Sequence, residues 1–272
     1  MKKKFGIIGN PVKHSLSPVL HNYWFEKYNL DASYSIIETK ENDLENVIKK
    51  IRDRELTGVN VTLPFKQKII NFTDKIINDA EVTGSVNTIL SEEGKIIGEN
   101  TDVFGLQAAY LKEIDNNELK NSLIIGAGGV SPSVIFSLKK SGIKNITITN
   151  RTNEKCLFLK KKFSFLSILP WDDIEKKLVN FDIIVNATSL GLKDNEDFNF
   201  SFSKTKNNLV YIDTIYNPLE TKTYKFLKED GKQVFNGLDM FIYQGQKSFY
   251  LWNKINPEID DKLVELLRSK LK

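Results

Sequence analysis

The chain has 272 residues, 40% hydrophobic and 27% charged, which describes an ordinary globular protein of one large domain or two modest ones. Its 39 basic and 35 acidic residues leave a net charge of +4, scattered rather than striped, so the balance gives no sign of a nucleic-acid partner. Cys156 is the single cysteine, which rules out an internal disulfide and is compatible with a reducing cytoplasm. The lysine-rich start lacks the apolar run of a signal peptide, because Gly9, Asn10, Pro11 and Lys13 interrupt it.

In chain order, residues 5–8 read as a short buried strand ended by Gly9-Asn10-Pro11. Ser17-Pro18 opens a helix, with the serine as N-cap and the proline at the first helical position. Residues 34–38 read as a second strand. Within 42–54, Leu44, Val47, Ile48 and Ile51 recur at helical spacing, and 59–63 form a third strand stopped by Pro64. Strand and helix thus alternate as in a parallel α/β layer. Residues 87–90 and 96–98, joined around Glu93-Gly94, read as an added hairpin. A helix over 103–114 is broken by Asp115-Asn116-Asn117. A second alternation follows. Strands are predicted at 122–125, 145–149, 182–185 and 209–212, with helices at 132–140, 172–178 and 220–229. Residues 193–208 are polar and Asn-rich and read as a loop. The chain closes on helices over 238–252 and 259–271.

Between the first strand of the second block and its helix stands Gly126-Ala127-Gly128-Gly129. In that setting Gly126 allows a tight turn, Gly128 lets a pyrophosphate approach the backbone, and the helix N-terminus supplies N–H groups and partial positive charge. The usual third glycine position holds Ser131, and Pro132 removes one backbone donor where a first helical turn tolerates it. The next strand ends in Asn150-Arg151-Thr152, with Lys155 close behind. An NAD site carries an acidic group here for the ribose hydroxyl. A guanidinium instead clamps a 2′-phosphate, which points to NADP.

The first block gathers polar side chains at its predicted strand ends: Ser15 and Ser17; Asn60, Thr62 and Lys66; Asn87; and Asn100-Thr101-Asp102. Ligands of open α/β sheets bind beyond strand carboxyl ends, and this donor and acceptor set suits a hydroxylated, anionic small molecule. Each residue also has a plainer reading. Ser17 or Asp102 can cap a helix, Asn60 can satisfy buried backbone, and Lys66 can be a surface lysine. His14 and His21 are the only histidines and read as capping or surface groups, with no metal cluster around them.

Ser15-Leu16-Ser17-Pro18, Asn60-Val61-Thr62-Leu63-Pro64-Phe65-Lys66, Gly84-Ser85-Val86-Asn87-Thr88, Asn100-Thr101-Asp102, Asn150-Arg151-Thr152, Asn186-Ala187-Thr188-Ser189-Leu190-Gly191, Tyr216-Asn217-Pro218-Leu219-Glu220-Thr221 and the run from Gly237-Leu238-Asp239-Met240 to Gln244-Gly245 together resemble the motifs of shikimate dehydrogenases, in that family's order and over essentially the whole chain. The resemblance implies an α/β protein of two domains with the active site in a cleft between them. Residues 1–101, completed by helices in 238–272, would bind substrate, and 102–237 would form a Rossmann-type NADP domain. It implies reduction of 3-dehydroshikimate to shikimate by NADPH, a cytoplasmic location, and a monomer or homodimer. By carry-over, Lys66 and Asp102 are catalytic. Ser15 and Ser17 hold the carboxylate, and Thr62, Asn87, Tyr216 and Gln244 surround the ring. Gly126, Ala127, Gly128, Gly129, Val130, Asn150, Arg151, Thr152, Lys155, Thr214 and Gly237 contact the cofactor. Ser85, Asn78 and Val130-Ser131-Pro132-Ser133 depart from the family's usual residues. The competing readings are a quinate/shikimate dehydrogenase of relaxed choice and a non-catalytic dinucleotide-binding regulator. The latter would be expected to lack Lys66 or Asp102.

Overall fold

Strands rich in Ile and Val form two separate sheets in the computed structural model, which describes residues 2–112, 114, 119–193 and 195–271. The chain divides into two units, Met1–Gly105 with Ile242–Lys270, and Leu106–Phe241 with Leu271–Lys272. The chain crosses between them inside the helices Asp102–Leu106 and Leu238–Asn253.

The first unit holds β1 (Lys3–Gly9), β2 (Ala32–Glu38), β3 (Gly58–Val61), β4 (Lys75–Ile76), β5 (Thr88–Glu92) and β6 (Lys95–Glu99) in the order β2-β1-β3-β5-β6-β4. β1 lies parallel to β2 and β3, whereas β5 is antiparallel to both β3 and β6. The expected parallel layer is therefore mixed, because the hairpin enters the sheet itself. Its turn is the predicted one: Glu93 and Gly94 both take positive φ, 51° and 78°, the conformation a tight hairpin demands. β4, two residues long, escaped the sequence reading because so short a run has no period to detect.

Helix Leu44–Arg52 buries Leu44, Val47, Ile48 and Ile51 on one face against Val59, Val61, Ile89 and Ile96. Each such side chain contributes roughly 1.5–3 kcal/mol by leaving water. Ser17–Lys27 and the C-terminal helices supply an aromatic packing set: Phe25 stacks on Phe5, and Trp24 and Phe25 meet Phe249. Gly58 makes room for Trp252, whose Nε1 donates to the Ile89 carbonyl at 3.0 Å. Gly245 lets its helix approach Leu20; a Cβ there would stand 2.4 Å from Leu20 Cδ2. Asp260 caps the last helix through Leu263 N and also receives Tyr23 and Lys27.

The second unit holds β7 (Asn121–Ile125), β8 (Asn145–Thr149), β9 (Ser167–Ile168), β10 (Ile183–Asn186), β11 (Val210–Asp213) and β12 (Gln233–Phe235), all parallel, in the order β12-β11-β10-β7-β8-β9. This is the doubly wound Rossmann order, with its reversal between β7 and β10. Asn153–Lys162 is a further helix whose pattern is hidden by exposed Leu157 and Phe158. The 193–208 segment has neither helix nor strand among its described residues. It is less polar in effect than in composition, since Phe198, Phe200 and Phe202 pack together and reach Trp171 and Tyr211.

Three local expectations are corrected. Ser17 is the first helical residue rather than the N-cap; Leu16 takes that place, while Ser17 N–H bonds Ser15 Oγ. The helix over 103–114 is a short α segment, Asp102–Leu106, followed by a π-type turn, Gln107–Leu111. The predicted breaker 115–117 lies outside the described residues. His21 is not a surface group: it is fully buried, stacked 4.4 Å from Tyr34, with no hydrogen-bond partner on either ring nitrogen.

Burial drives the His21 pKa down to about 3. Its folded pKa thus lies below its unfolded value, so the unfolded chain alone takes up a proton as pH falls below about 6.5, and stability is lost towards pH 3. Denaturant melts at pH 7 and pH 5 should therefore show wild type losing about 2 kcal/mol more than His21→Phe. Equal losses would mean that His21 carries its proton in the fold.

Candidate active site

In the first unit the polar strand ends meet through backbone hydrogen bonds. Val86 N donates to the Lys66 carbonyl at 2.8 Å, Val61 N to the Asn87 carbonyl at 2.8 Å, and Asn87 N to the Glu99 carbonyl at 3.1 Å. The segments after β3, before β5 and after β6 are thereby brought side by side. Phe65, buried at 2% exposure, anchors the turn so that the next side chain, Lys66, points inward.

The result is a buried ion pair. Lys66 Nζ lies 2.6 Å from Asp102 Oδ2, with the two side chains 13% and 6% exposed. Asn87 Nδ2 donates to the other oxygen, Oδ1, at 2.8 Å. The orientation of that amide is settled by Thr101, whose backbone N–H donates to Asn87 Oδ1 at 2.8 Å, leaving the NH₂ for Asp102. Asp102 is thus committed to Lys66 and Asn87; the capping duty falls to Asn100, whose Oδ1 accepts from Val103 N at 3.2 Å.

Around this pair stand further polar groups. Ser248, on the C-terminal helix, lies 2.8 Å from Thr88 Oγ1 and 3.2 Å from Thr101 Oγ1 and accepts from Asn60 Nδ2 at 3.0 Å. Gln244, one turn earlier, sits 3.4 Å from Asn87 Nδ2. Thr101 was singled out with Asn100 and Asp102, and Thr88 closes one of the family motifs. Ser248 carried no such signal. Asn60 does satisfy backbone, donating to the Asn87 carbonyl at 3.1 Å, and it joins this network as well. Ser15 Oγ donates to Ser17 Oγ at 3.1 Å, and Thr62 begins the loop after β3, its methyl filling the space left by Gly9. Asn78, at φ 52°, donates to the buried Glu99 carboxyl at 2.5 Å; burial raises that carboxyl's pKa.

In the second unit the glycine turn joins β7 to helix Ser131–Lys140. Gly126 has φ +115°, and a Cβ there would fall 2.7 Å from the Ala187 carbonyl oxygen at the end of β10. At Gly128 the nearest atom to an added Cβ is 4.0 Å away, so this face of the turn is open and a side chain would fill it. Ser131 closes the turn from within: its Oγ accepts from Gly128 N at 2.9 Å and donates to the Gly126 carbonyl at 2.9 Å. Asn150 Oδ1 accepts from Ala127 N at 3.2 Å, which ties the end of β8 to the turn. Arg151, Thr152 and Lys155 are exposed beyond it, and neither Arg151 nor Lys155 has an ion-pair partner among the described residues. Gly129 and Val130 complete the turn. Thr214 Oγ1 donates to the Asn186 carbonyl at 2.9 Å, and Gly237 packs directly on the Thr214 carbonyl. Tyr216 stacks on Phe241 at 4.7 Å. Beneath Thr214, burial lifts the Asp213 pKa to about 6. The second unit thus pairs an open, glycine-lined strand-to-helix turn with unpaired cations one strand away, a donor set that fits a phosphorylated dinucleotide.

Comparison with known proteins agrees with this fold. Residues 7–89 match the family model described as shikimate dehydrogenase substrate binding domain, and residues 109–224 match shikimate / quinate 5-dehydrogenase. A shikimate dehydrogenase (NADP(+)) of Pelagibacter ubique is 45% identical over 98% of this chain and 99% of its own length. The chain belongs to the shikimate dehydrogenase family. A Bacillus cereus relative of the same description is 39% identical over 100% of this chain and 99% of its own. The crystal structure of shikimate dehydrogenase from Aquifex aeolicus matches at a TM-score of 0.90, with 36% identity over 98% of both chains. That of the Thermus thermophilus enzyme, in complex with NADP(H) and shikimate, matches at 0.88 and 33% identity, covering 99% of this chain and 100% of its own. Among the described residues no cluster of three metal-binding side chains occurs, and no helix is long and apolar enough to cross a membrane.

The two turn glycines should differ sharply. Gly126→Ala should cost more than about 2 kcal/mol, from both a forbidden φ and the clash with Ala187. Gly128→Ala should change stability by less than about 0.5 kcal/mol. Thermal melts of both variants check this, and equal shifts would contradict the turn geometry.

Proposed function

We propose that this chain catalyses the reversible reduction of 3-dehydroshikimate to shikimate with NADPH, in the cytoplasm, as a monomer or homodimer without nucleic-acid or membrane partners. The observation that carries the reading is the buried Lys66–Asp102 pair, 2.6 Å apart, held by the Asn87 amide with the Thr101, Thr88 and Ser248 hydroxyls behind it. Such a pair is expensive to bury and serves little in packing, whereas a positioned ammonium is what a developing alkoxide requires.

The roles are those the family resemblance implies, joined to the chemistry of the groups present. NADPH, when bound, would supply the hydride that reduces the ring carbonyl. Lys66 stabilises the negative charge that grows on the oxygen and gives it a proton. Asp102 holds the Lys66 ammonium and accepts from a ring hydroxyl, and Asn87 keeps its carboxylate aimed. Ser15 and Ser17 hold the substrate carboxylate. Thr62, Tyr216 and Gln244 bind the ring's remaining polar atoms. For the cofactor, Gly126, Ala127, Gly128, Gly129 and Val130 would cradle the pyrophosphate. Asn150, Arg151, Thr152 and Lys155 would take the 2′-phosphate end, and Thr214 and Gly237 the nicotinamide end. Arg151 supports NADP over NAD, since a guanidinium pairs with a phosphate and cannot accept the hydrogen bond that a ribose hydroxyl donates.

An assay following NADP reduction with shikimate tests this directly; activity with quinate but not shikimate would overturn the substrate assignment. Lys66→Ala should lower kcat by about 10²–10⁴-fold with a smaller change in KM, and wild-type turnover would remove Lys66 from the mechanism. Arg151→Ala should raise the KM for NADPH about tenfold or more while leaving that for NADH nearly unchanged, collapsing the preference between them. An unaltered cofactor ratio would contradict the phosphate role.

A further inference from the structure

Tyr34 stands on β2 with 3% of its surface exposed, its ring stacked on His21 with 8° between the planes. Its backbone is gripped on both polar atoms by one side chain: Tyr34 N donates to Asn22 Oδ1 at 2.8 Å, and Asn22 Nδ2 donates to the Tyr34 carbonyl at 2.9 Å. The phenol is therefore fixed in place. Its hydroxyl donates to Asn60 Oδ1 at 2.7 Å.

The direction of that bond is forced. Asn60 Nδ2 faces the Asn87 carbonyl at 3.1 Å, and a carbonyl only accepts, so the amide nitrogen belongs there and its oxygen must face Tyr34. Tyr34 has one hydrogen and spends it on Asn60. The bonds therefore run one way, from Tyr34 through Asn60 to the Asn87 carbonyl. The Asn87 amide in turn holds Asp102.

We propose that Tyr34 is a positioning residue for the reaction: its hydroxyl orients Asn60, and through Asn60 the Asn87 segment that aims Asp102 at Lys66. The inference rests on the roles given above to Lys66 and Asp102. Phe at position 34 would keep the stack on His21 and remove one oxygen. Asn60 Oδ1 would then be buried without a donor, and the contacts of Asn60 Nδ2 with the Asn87 carbonyl, Thr88 and Ser248 would loosen.

The test is a double-mutant cycle with Tyr34→Phe, Asn60→Ala and the double variant, assayed with shikimate and NADP well below each melting temperature, with Lys66→Ala alongside. Tyr34→Phe should lower kcat about tenfold and leave the KM for NADP within about twofold. In the Asn60→Ala background it should add less than about a twofold loss. Asn60→Asp, which keeps the oxygen facing Tyr34 and removes the amide facing Asn87, should lose at least as much as Tyr34→Phe, and provides the answer should that variant fold poorly. Wild-type kcat in Tyr34→Phe or Asn60→Asp, or an equal Tyr34→Phe loss in both backgrounds, would overturn the proposal. If Lys66→Ala is inactive while Tyr34→Phe turns over normally, only the Tyr34 inference fails. If Lys66→Ala turns over normally, the catalytic reading itself fails.

Discussion

Bringing an ammonium and a carboxylate out of water costs several kcal/mol for each ion unless every exposed lone pair and proton finds a partner. Much of the first unit is arranged around meeting that demand for Lys66 and Asp102. One oxygen of Asp102 takes the lysine and the other takes Asn87; Asn87 is oriented by the Thr101 N–H. The backbone atoms of Lys66 and Asn87 are fixed by neighbouring strand ends. The requirement reaches the far end of the sequence. Ser248 and Gln244 reach this network only because their helix packs in the first unit, and Gly58 and Gly245 are the small residues that permit the approach.

The second unit answers a different problem, which is to leave a turn without side chains at one end of an otherwise complete parallel sheet. The strand order reverses between β7 and β10, so the glycine turn after β7 abuts the end of β10 at Ala187. Only a residue without Cβ fits there. Asn186 and Asp213 carry the adjoining strand ends, and their mutual hydrogen bonds hold the loops bearing Thr188, Leu190 and Thr221.

What was legible in the sequence was what repeats or breaks a period. The helix stripe of Leu44, Val47, Ile48 and Ile51, the Glu93-Gly94 turn and the strand-glycine-helix unit around Gly126 were all readable, because each is a local pattern with a local cause. The Lys66–Asp102 pairing was implied by the family resemblance alone and by no local pattern, since 36 residues separate partners that only the sheet brings together. Family motifs pointed to both, but no spacing rule could say that Asn87 would bind one carboxylate oxygen or that Ser248 would stand behind it. His21 was misjudged for a related reason: a lone polar residue in a helix reads as surface until its neighbours Trp24, Tyr34 and Phe249 are known to enclose it. Ser17 looked like a cap by type and was diverted by Ser15, two residues away.

Ser131 occupies the place where a third small residue would ordinarily let the helix settle on its strand, and it does more than fit. By accepting from Gly128 and donating to Gly126 it makes the turn a closed ring of hydrogen bonds. A loop clamped in this way has little conformational freedom left to surrender. The ordering entropy that a slack loop would subtract from the affinity of an incoming dinucleotide is met here when the chain folds, so the turn is ready before its ligand arrives.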